Sequence, residues 1–394
     1  MAARHPEVVI VGAGIVGASV AWHLAQLGCR EVLILERGAA AGAGSTGRAT
    51  GGFRAQFGSE IGVRLSLLAR QKLRRFAEEV GADPGYRPCG YLFLATSGAE
   101  LAALGVAARR QRGWGLEEVE LLEPEDVARV NPALAGDAVA GGSFCPSDGF
   151  VRPLEIARGY LAAAERLGVR VEFGEECVGL EVEAAGDGGP RRIAGVRTRS
   201  RLIPSRRVVN AAGPWAAPLA ALAGLEIPVR PLRRHVAATV PTDALPEAMP
   251  MTIWIGDGFH LRVRDGRVLL LRPRPDELDS GFDDRFDRRF LEGLHDTAAE
   301  RVPCLAGVPI DPARSWAGLY EMSPDRHALL GEAPGLAGLF LANGSSGHGV
   351  MHAPALGQLL AERILSGSFT TLDAAPLSPA RFAQGRLNPD SGWL

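Results

Sequence analysis

Hydrophobic positions change period several times along the chain, and each change marks an element. Glu7-Val8-Val9-Ile10-Val11 is a short continuous run rich in β-branched residues, as in a parallel strand buried on both faces. It runs into Gly12-Ala13-Gly14-Ile15-Val16-Gly17 and then into ASVAWHLAQLG, which reads as a helix. A second strand, Glu31-Val32-Leu33-Ile34-Leu35, ends on Glu36. Residues 8–28 are apolar enough to suggest a membrane span. Gly12, Gly14 and Gly17 interrupt it and His23 and Gln26 sit in its second half, so strand, turn and helix are expected and no membrane span. GFHLRVRDGRVLLLRP (258–273) reads as a hairpin turning at Asp265-Gly266. Residues 339–342 read as a strand, 343–349 as a Gly/Ser turn and 353–364 as a helix. Pro354 then falls in the first helical turn, where its missing N–H costs nothing. LLARQKLRRFAEE reads as an exposed amphipathic helix.

Composition narrows the function classes. A length of 394 residues suggests two or three domains, and 46% hydrophobic with 22% charged residues suits a soluble globular protein. A net charge of −2 offers no basic stripe, so no nucleic acid is expected as partner, and RRIAGVRTRSR (191–201) reads as a solvated strand face. Of the 43 basic side chains 42 are Arg, and the one lysine is Lys72. A pyridoxal Schiff base or a phosphate-loop lysine would have to be Lys72, and neither fits an exposed helix. The five cysteines are odd in number, far apart and without a CxxC, which suits a reduced, cytoplasmic protein; no signal peptide is expected ahead of the first strand.

The first 36 residues carry the clearest chemistry. Gly12 permits a tight turn, Gly14 lets the backbone approach a pyrophosphate, and Gly17 lets the helix pack closely on the strand. The helix N-terminus offers free N–H groups to the anion, and Glu36 is placed to accept from ribose hydroxyls, which disfavours a 2′-phosphate. Strand, helix, second strand and acid at this spacing predict dinucleotide binding. The fingerprint does not distinguish FAD from NAD. Residues 42–54 form a Gly-rich run, read either as a flexible surface loop or as a segment closing over a large cofactor.

Five motifs in order give the chain a resemblance to the D-amino-acid-oxidase-like flavoproteins, which include glycine oxidases, sarcosine oxidases, dimethylglycine dehydrogenases and the β subunits of heteromeric L-proline dehydrogenase. They are VVIVGAGIVGASVAWHLAQLG with VLILERG; GSTGRATGGFRAQFG (44–58); PSDGFVRP (146–153); VVNAAGPWA (208–216); and the pair WAGLYEMSPDRHALLGE (316–332) and LFLANGSSGHGVMHAPALGQLLAERI (339–364). The resemblance implies an α/β fold with a Rossmann-like FAD-binding domain (1–86, 141–228, 313–394). The substrate domain (87–140, 229–312) would stand on a mixed or antiparallel sheet holding GYLFLATS and HVAATVP. It also implies that FAD meets Gly12, Gly14, Ile15, Val16, Gly17, Glu36 and Arg37, then Gly44, Ser45, Thr46, Arg48, Ala49, Thr50 and Gly51. Further cofactor contacts would come from Val178, from Ala211, Ala212, Gly213 and Trp215, and from Gly318. The last motif would add Gly344, Ser346, Gly347, His348, Gly349, Val350 and Met351, with the final helix N-terminus facing the flavin pyrimidine, where reduction builds negative charge. His348 and His352 have no carboxylate or Cys patterned with them, so no metal is expected.

Members that oxidise amino acids hold the substrate carboxylate with an Arg. The sarcosine-oxidase type places it where Arg54 stands; the glycine-oxidase type uses positions occupied by Tyr320 and Gly347, so Arg54 is the expected receptor. Arg48 is expected beside the pyrophosphate. His260, Tyr320 and, less directly, Tyr91 are expected to face substrate. Met351 stands where monomeric sarcosine oxidases carry a carboxylate-supporting Lys. A second lysine, associated there with oxygen activation, would be replaced by Val or Leu near 268–270. Arg48 and Gly318 stand where other members attach flavin covalently, so noncovalent FAD is expected. The expected reaction is hydride transfer from the α C–H of an amino acid or secondary amine (proline, sarcosine or dimethylglycine) to flavin N5, giving an imine, in a dehydrogenase rather than an oxidase. Alternatives are a primary D-amino-acid or glycine oxidase and a flavin-binding scaffold without turnover. The resemblance also allows a heteromeric partner subunit or other electron acceptor, which would have to carry any iron–sulfur cluster, because no cysteine motif here holds one.

Overall fold

The computed structural model describes residues 5–135, 139–184, 191–274 and 281–389. β1 (Val8–Val11), α1 (Ile15–Gln26) and β2 (Val32–Glu36) form the opening unit, with β1 parallel to β2. Every residue of β1 is buried, as a strand covered on both faces must be. α2 (Glu60–Arg74) begins at Ser59, whose hydroxyl accepts from the Gly62 N–H at 3.2 Å. The chain then leaves the first sheet to form β3 (Tyr91–Ala95), β4 (Glu120–Leu122) and β5 (Gly141–Cys145). It returns through α3 (Pro153–Arg166), β6 (Arg170–Phe173) and β7 (Val208–Asn210). A second excursion makes β8 (Arg230–Ala238), β9 (Met251–Trp254), β10 (His260–Arg264), β11 (Arg267–Leu271) and β12 (Trp316–Met322). Finally β13 (Leu329–Glu332), β14 (Leu339–Asn343) and α4 (Gly349–Ser366) rejoin the first sheet.

Among the described residues, six strands form one sheet in the order β13-β14-β7-β1-β2-β6, parallel except for the β13–β14 pair. Eight form a second in the order β12-β8-β11-β10-β9-β3-β5-β4, antiparallel except where β3 runs parallel to β9. The α/β class with a mixed second sheet is therefore as expected. β5 and β12 hydrogen-bond into the eight-stranded sheet, although the sequence-based division groups 141–145 and 316–322 with the cofactor segments. Each leads directly into a motif at the cavity, so a boundary drawn by motif cuts across the sheet. α1 packs against α3 and α4, and the aliphatic side chains between them, Val20, Leu24, Leu356 and Leu360 included, are fully buried.

Several local readings hold. Asp265 (φ 55°) and Gly266 (φ 68°) make the hairpin turn, with both central residues left-handed. Arg197 and Arg199 lie on a solvated face, paired with Glu181 and Glu176. Three differ. α4 begins at Gly349, immediately after the left-handed Gly347 (φ 91°) and His348, rather than at 353. Pro354 therefore lies inside the helix and removes the N–H that the Val350 carbonyl would otherwise accept. The Gly-rich run is not a plain loop: Ser45–Arg48 is a helical turn, and Gly52–Phe53 pairs with Gly149–Phe150. Lys72 is half-buried rather than exposed, and burial lowers its ammonium pKa.

Candidate cofactor and substrate site

A cavity of about 700 Å³ is lined by residues of both sheets. At one end stands the β1–α1 turn. A Cβ on Gly12 (φ 113°) would lie 2.4 Å from the Ala211 carbonyl oxygen, and one on Gly17 would lie 2.1 Å from the Gly12 oxygen. Only glycine lets this turn nest between β7 and α1. Gly14 caps α1 without a side-chain hydrogen bond, so the first N–H groups of the helix face the cavity; the Ile15 N–H donates to Thr46 Oγ1 at 3.1 Å. Val16 and Ile15 line the same end. Glu36 accepts from the Ala13 and Gly38 N–H groups, both at 2.8 Å, and so keeps a carboxylate at the end of β2. Arg37 stacks on Trp215 with its Cζ 3.8 Å from the ring centroid, and Val178, Ala211, Ala212 and Gly213 complete that end.

The segment 44–54 runs along the cavity, with Gly44, Ser45, Ala49, Thr50 and Gly51 on its wall. Its carbonyls are held from β10. Arg262 Nη1 donates to Thr50 O at 2.7 Å and Arg264 Nη1 to Ala49 O at 3.0 Å. His260, Arg262 and Arg264 alternate along the strand and so share one face of it. Arg48 also lines the cavity, but its guanidinium is ion-paired with Asp284. A Cβ on Gly318 would stand 3.0 Å from the Arg48 Cβ, which keeps the two backbones close.

At the other end Arg54 is 1% exposed yet borders the cavity. Its Nη1 donates to Gln56 O at 2.7 Å and its Nη2 to His348 Nε2 at 3.2 Å. The guanidinium lies 4.3 Å over Phe57 and 5.5 Å from Phe93. No carboxylate among the described residues forms an ion pair with it. A guanidinium has five N–H groups, and two are used. Desolvation lowers the Arg54 pKa, opposed by Tyr91, Asp148 and Tyr320. Burial, then the Arg54 charge, pushes His348 well below the usual histidine range, so its neutral ring accepts from Arg54.

Two residues unassigned by sequence reasoning set this geometry. Asp148, inside PSDGFVRP, accepts from the Ala55 N–H at 2.7 Å and from Gln56 Nε2 at 3.1 Å. Gln56 also donates to Tyr91 O at 3.1 Å and accepts from Ser143 at 2.8 Å. Burial raises the Asp148 pKa to about 7, partly opposed by those N–H donors and by Arg54. The DGF triplet was visible, but which backbone it would hold was not.

Around Arg54 the cavity is walled by Tyr91, Met251, Ile253, His260, Leu271, Tyr320 and Met351. The His260 ring, with Nδ1 2.8 Å from Gly258 O, has its pKa lowered to about 4, first by burial and then by Arg234 and Arg54. Leu271, opposite His260 in the hairpin, lines the cavity one residue beyond the stretch 268–270 expected there. Lys72 is not on this wall. Tyr320 occupies the space beside Gly347, where a Cβ would come 2.4 Å from its ring. Gly344 (φ 71°) and Ser346 (φ 51°) shape the turn before α4, whose N-cap His348 makes no side-chain cap, so the N–H groups of Gly349, Val350 and Met351 stay available while that of His352 donates to His348 O at 3.1 Å. Two uncapped helix ends, a glycine cradle and a cavity of this volume lined from both sheets fit an extended dinucleotide cofactor.

Comparison with known proteins agrees with that fit. The model of the family described as FAD dependent oxidoreductase (DAO) matches residues 7–363. L-Proline dehydrogenase from P. horikoshii superposes with a TM-score of 0.89 at 29% identity, covering 98% of this chain and 99% of that one. Glycine oxidase from Geobacillus kaustophilus gives 0.81 at 29% identity, covering 96% and 99%. Among curated sequences, FAD-dependent oxidoreductase domain-containing protein 1 of Xenopus laevis is 29% identical over 95% of this chain and 82% of its own length. Mitochondrial dimethylglycine dehydrogenase of Rattus norvegicus is 28% identical over 96% of this chain, which spans only 45% of that longer protein. No helix among the described residues is long and apolar enough to cross a membrane. The chain belongs to the FAD dependent oxidoreductase (DAO) family, whose members act on amino acids and amines.

Proposed function

We propose that this protein oxidises a carboxylate-bearing secondary or tertiary amine of the proline, sarcosine or dimethylglycine kind to an imine or iminium, with noncovalent FAD as first electron acceptor. The observation that carries this is Arg54: a fully buried guanidinium with no ion-pair partner among the described residues and three N–H groups unspent at the cavity wall. A buried cation is costly unless an anion completes it, and a bidentate carboxylate matches its fork. His348 and Gln56 hold the fork from behind, while Asp148 holds the backbone that carries it. Tyr91, Tyr320 and His260 face the remaining polar part of the substrate, and Met251, Ile253, Leu271 and Met351 give its carbon skeleton an apolar wall. FAD, when bound, supplies the acceptor for the electron pair of the substrate α C–H at N5. Gly12, Gly17, Glu36 and the 44–51 segment would hold it, and the start of α4 would face its pyrimidine. The protein contributes orientation and water exclusion rather than a strong base.

Tyr320 and Gly347 favour this reading over a primary-amine oxidase of the glycine type, because their mutual packing leaves no cation at either position. The absence of lysine from the described cavity wall, where the resemblance to monomeric sarcosine oxidases would place one, tilts the acceptor away from oxygen and toward a partner subunit or dye. The test is anaerobic. Proline, sarcosine, dimethylglycine, glycine and D-alanine are added separately to the purified flavoprotein. Bleaching by proline, sarcosine or dimethylglycine supports the reading, and air or a dye acceptor then distinguishes oxidase from dehydrogenase. Bleaching by none would favour a scaffold role.

A further inference from the structure

Glu321 is a carboxyl for which the function above has no use. It lies on β12, next to Tyr320, and lines the same cavity. Its Oε1 accepts from the Ser345 N–H at 3.2 Å, while Oε2 is enclosed and has no hydrogen-bond partner. The Ser345 hydroxyl, also enclosed, has Glu321 as its neighbouring acceptor. A Cβ built on Gly349, the first residue of α4, would lie 3.7 Å from Oε1, so the carboxyl stands against the start of that helix. An ionised carboxylate is at home near a helix N-terminus. Here burial outweighs that: it raises the Glu321 pKa to about 7, with the Ser345 backbone and hydroxyl and the Gly344 backbone acting the other way. The titratable groups on the elements packed against it are Arg230, Arg233, Arg234 and His235 on β8, Tyr320 on β12, and His348 and His352 at the head of α4. None of these charges is among the causes of the Glu321 shift, and His348 is neutral.

We infer that Glu321 takes up a proton when the flavin at this site is reduced, so that its enclosed Oε2 becomes a hydrogen-bond donor instead of a second negative charge. This rests on the FAD reading above. Hydride transfer from the substrate amine would bring two electrons and one proton together to FAD, and the reduced cofactor would then carry one net negative charge, on the side that would face the start of α4. A carboxylate in the same low-dielectric wall repels that charge, and protonation removes the repulsion. The balance is FAD plus two electrons plus one proton, together with Glu321 carboxylate plus one proton giving the acid. Above pH 7, where Glu321 is ionised before reduction, two protons enter per electron pair; below it, Glu321 already carries its own.

The experiment is the pH dependence of the flavin midpoint potential in the wild-type holoenzyme and in Glu321→Gln, which keeps the acceptor for the Ser345 N–H. Above pH 7 the reduction equilibrium of the wild type should change about 100-fold per pH unit, and that of the variant tenfold, about 60 mV against about 30 mV for a two-electron couple. Coincident slopes would overturn the inference while leaving the FAD reading intact. If the variant does not retain flavin, proton uptake by the wild type during anaerobic electrochemical reduction in weak buffer, where every proton comes from solution, decides the matter. Two protons per electron pair above pH 7 support the inference, and one overturns it. Wild-type protein that neither holds nor accepts FAD would overturn the functional reading itself.

Discussion

Replacing Arg54 by Met tests the proposed carboxylate receptor with little change of volume. The side chain is 1% exposed and packs between Phe57 and Phe93, so a linear apolar residue can occupy the same channel. A hydrogen bond to a charged group contributes about 1.5–3 kcal/mol, and at 1.36 kcal/mol per decade the loss of one such bond weakens binding by roughly 10- to 150-fold. The assay is a titration of the flavin visible spectrum with a carboxylate analogue that cannot be oxidised, beside its uncharged amide. Affinity for the carboxylate should fall by that factor and affinity for the amide should change little. Arg54→Lys keeps the charge but loses the fork, and should lie between. Thermal stability of Arg54→Met should be equal to wild type or higher, because removing a buried cation with no ion-pair partner also removes its desolvation cost. Equal loss for carboxylate and amide, or no loss for either, would refute the assignment.

Other tests reach different parts of the molecule. Gly17→Val should yield folded protein with little bound flavin, seen as loss of visible absorbance after gel filtration, since its Cβ would start 2.1 Å from the Gly12 oxygen. Gly347→Ala and Tyr320→Ala should be strongly non-additive in denaturant midpoints, because the Gly347 Cβ clash is with the Tyr320 ring; simple addition would mean the ring moves freely aside. Asp148 has a folded pKa raised from 3.8 to about 7, so the wild type should lose stability as pH rises through that window. The loss is at most about 4 kcal/mol at 1.36 kcal/mol per pH unit, and Asp148→Asn should flatten that decline in urea melts. The rate of anaerobic flavin bleaching should rise with pH as the substrate amine deprotonates, and a flat profile in this step would count against hydride transfer from the neutral amine.

Much of the cofactor end was legible before folding because its determinants are local. β1, the glycine turn, α1 and β2 follow one another within 36 residues, and the glycines that interrupt two continuous β-branched runs and a helical stretch mark the boundaries. The start of α4 was less legible. Pro354 looked like a first-turn residue, but the helix begins right after His348, because Gly347 and not Pro354 ends the turn.

What the sequence alone determined is which segments are buried strands or helices and where the backbone must do without a Cβ. Both are short-range properties written in residue type and spacing. Tertiary structure decided which buried groups meet. Arg54 and His348 are 294 residues apart, Arg262 and Thr50 are 212 apart, and Glu321 reaches the head of α4 only because β12 turns back beside it. Burial, and hence every pKa at the site, is a sum over neighbours drawn from both sheets. Periodicity records that a face is covered, but not by what, and so the chemistry of Arg54, Asp148 and Glu321 emerges only when the two sheets close on the cavity.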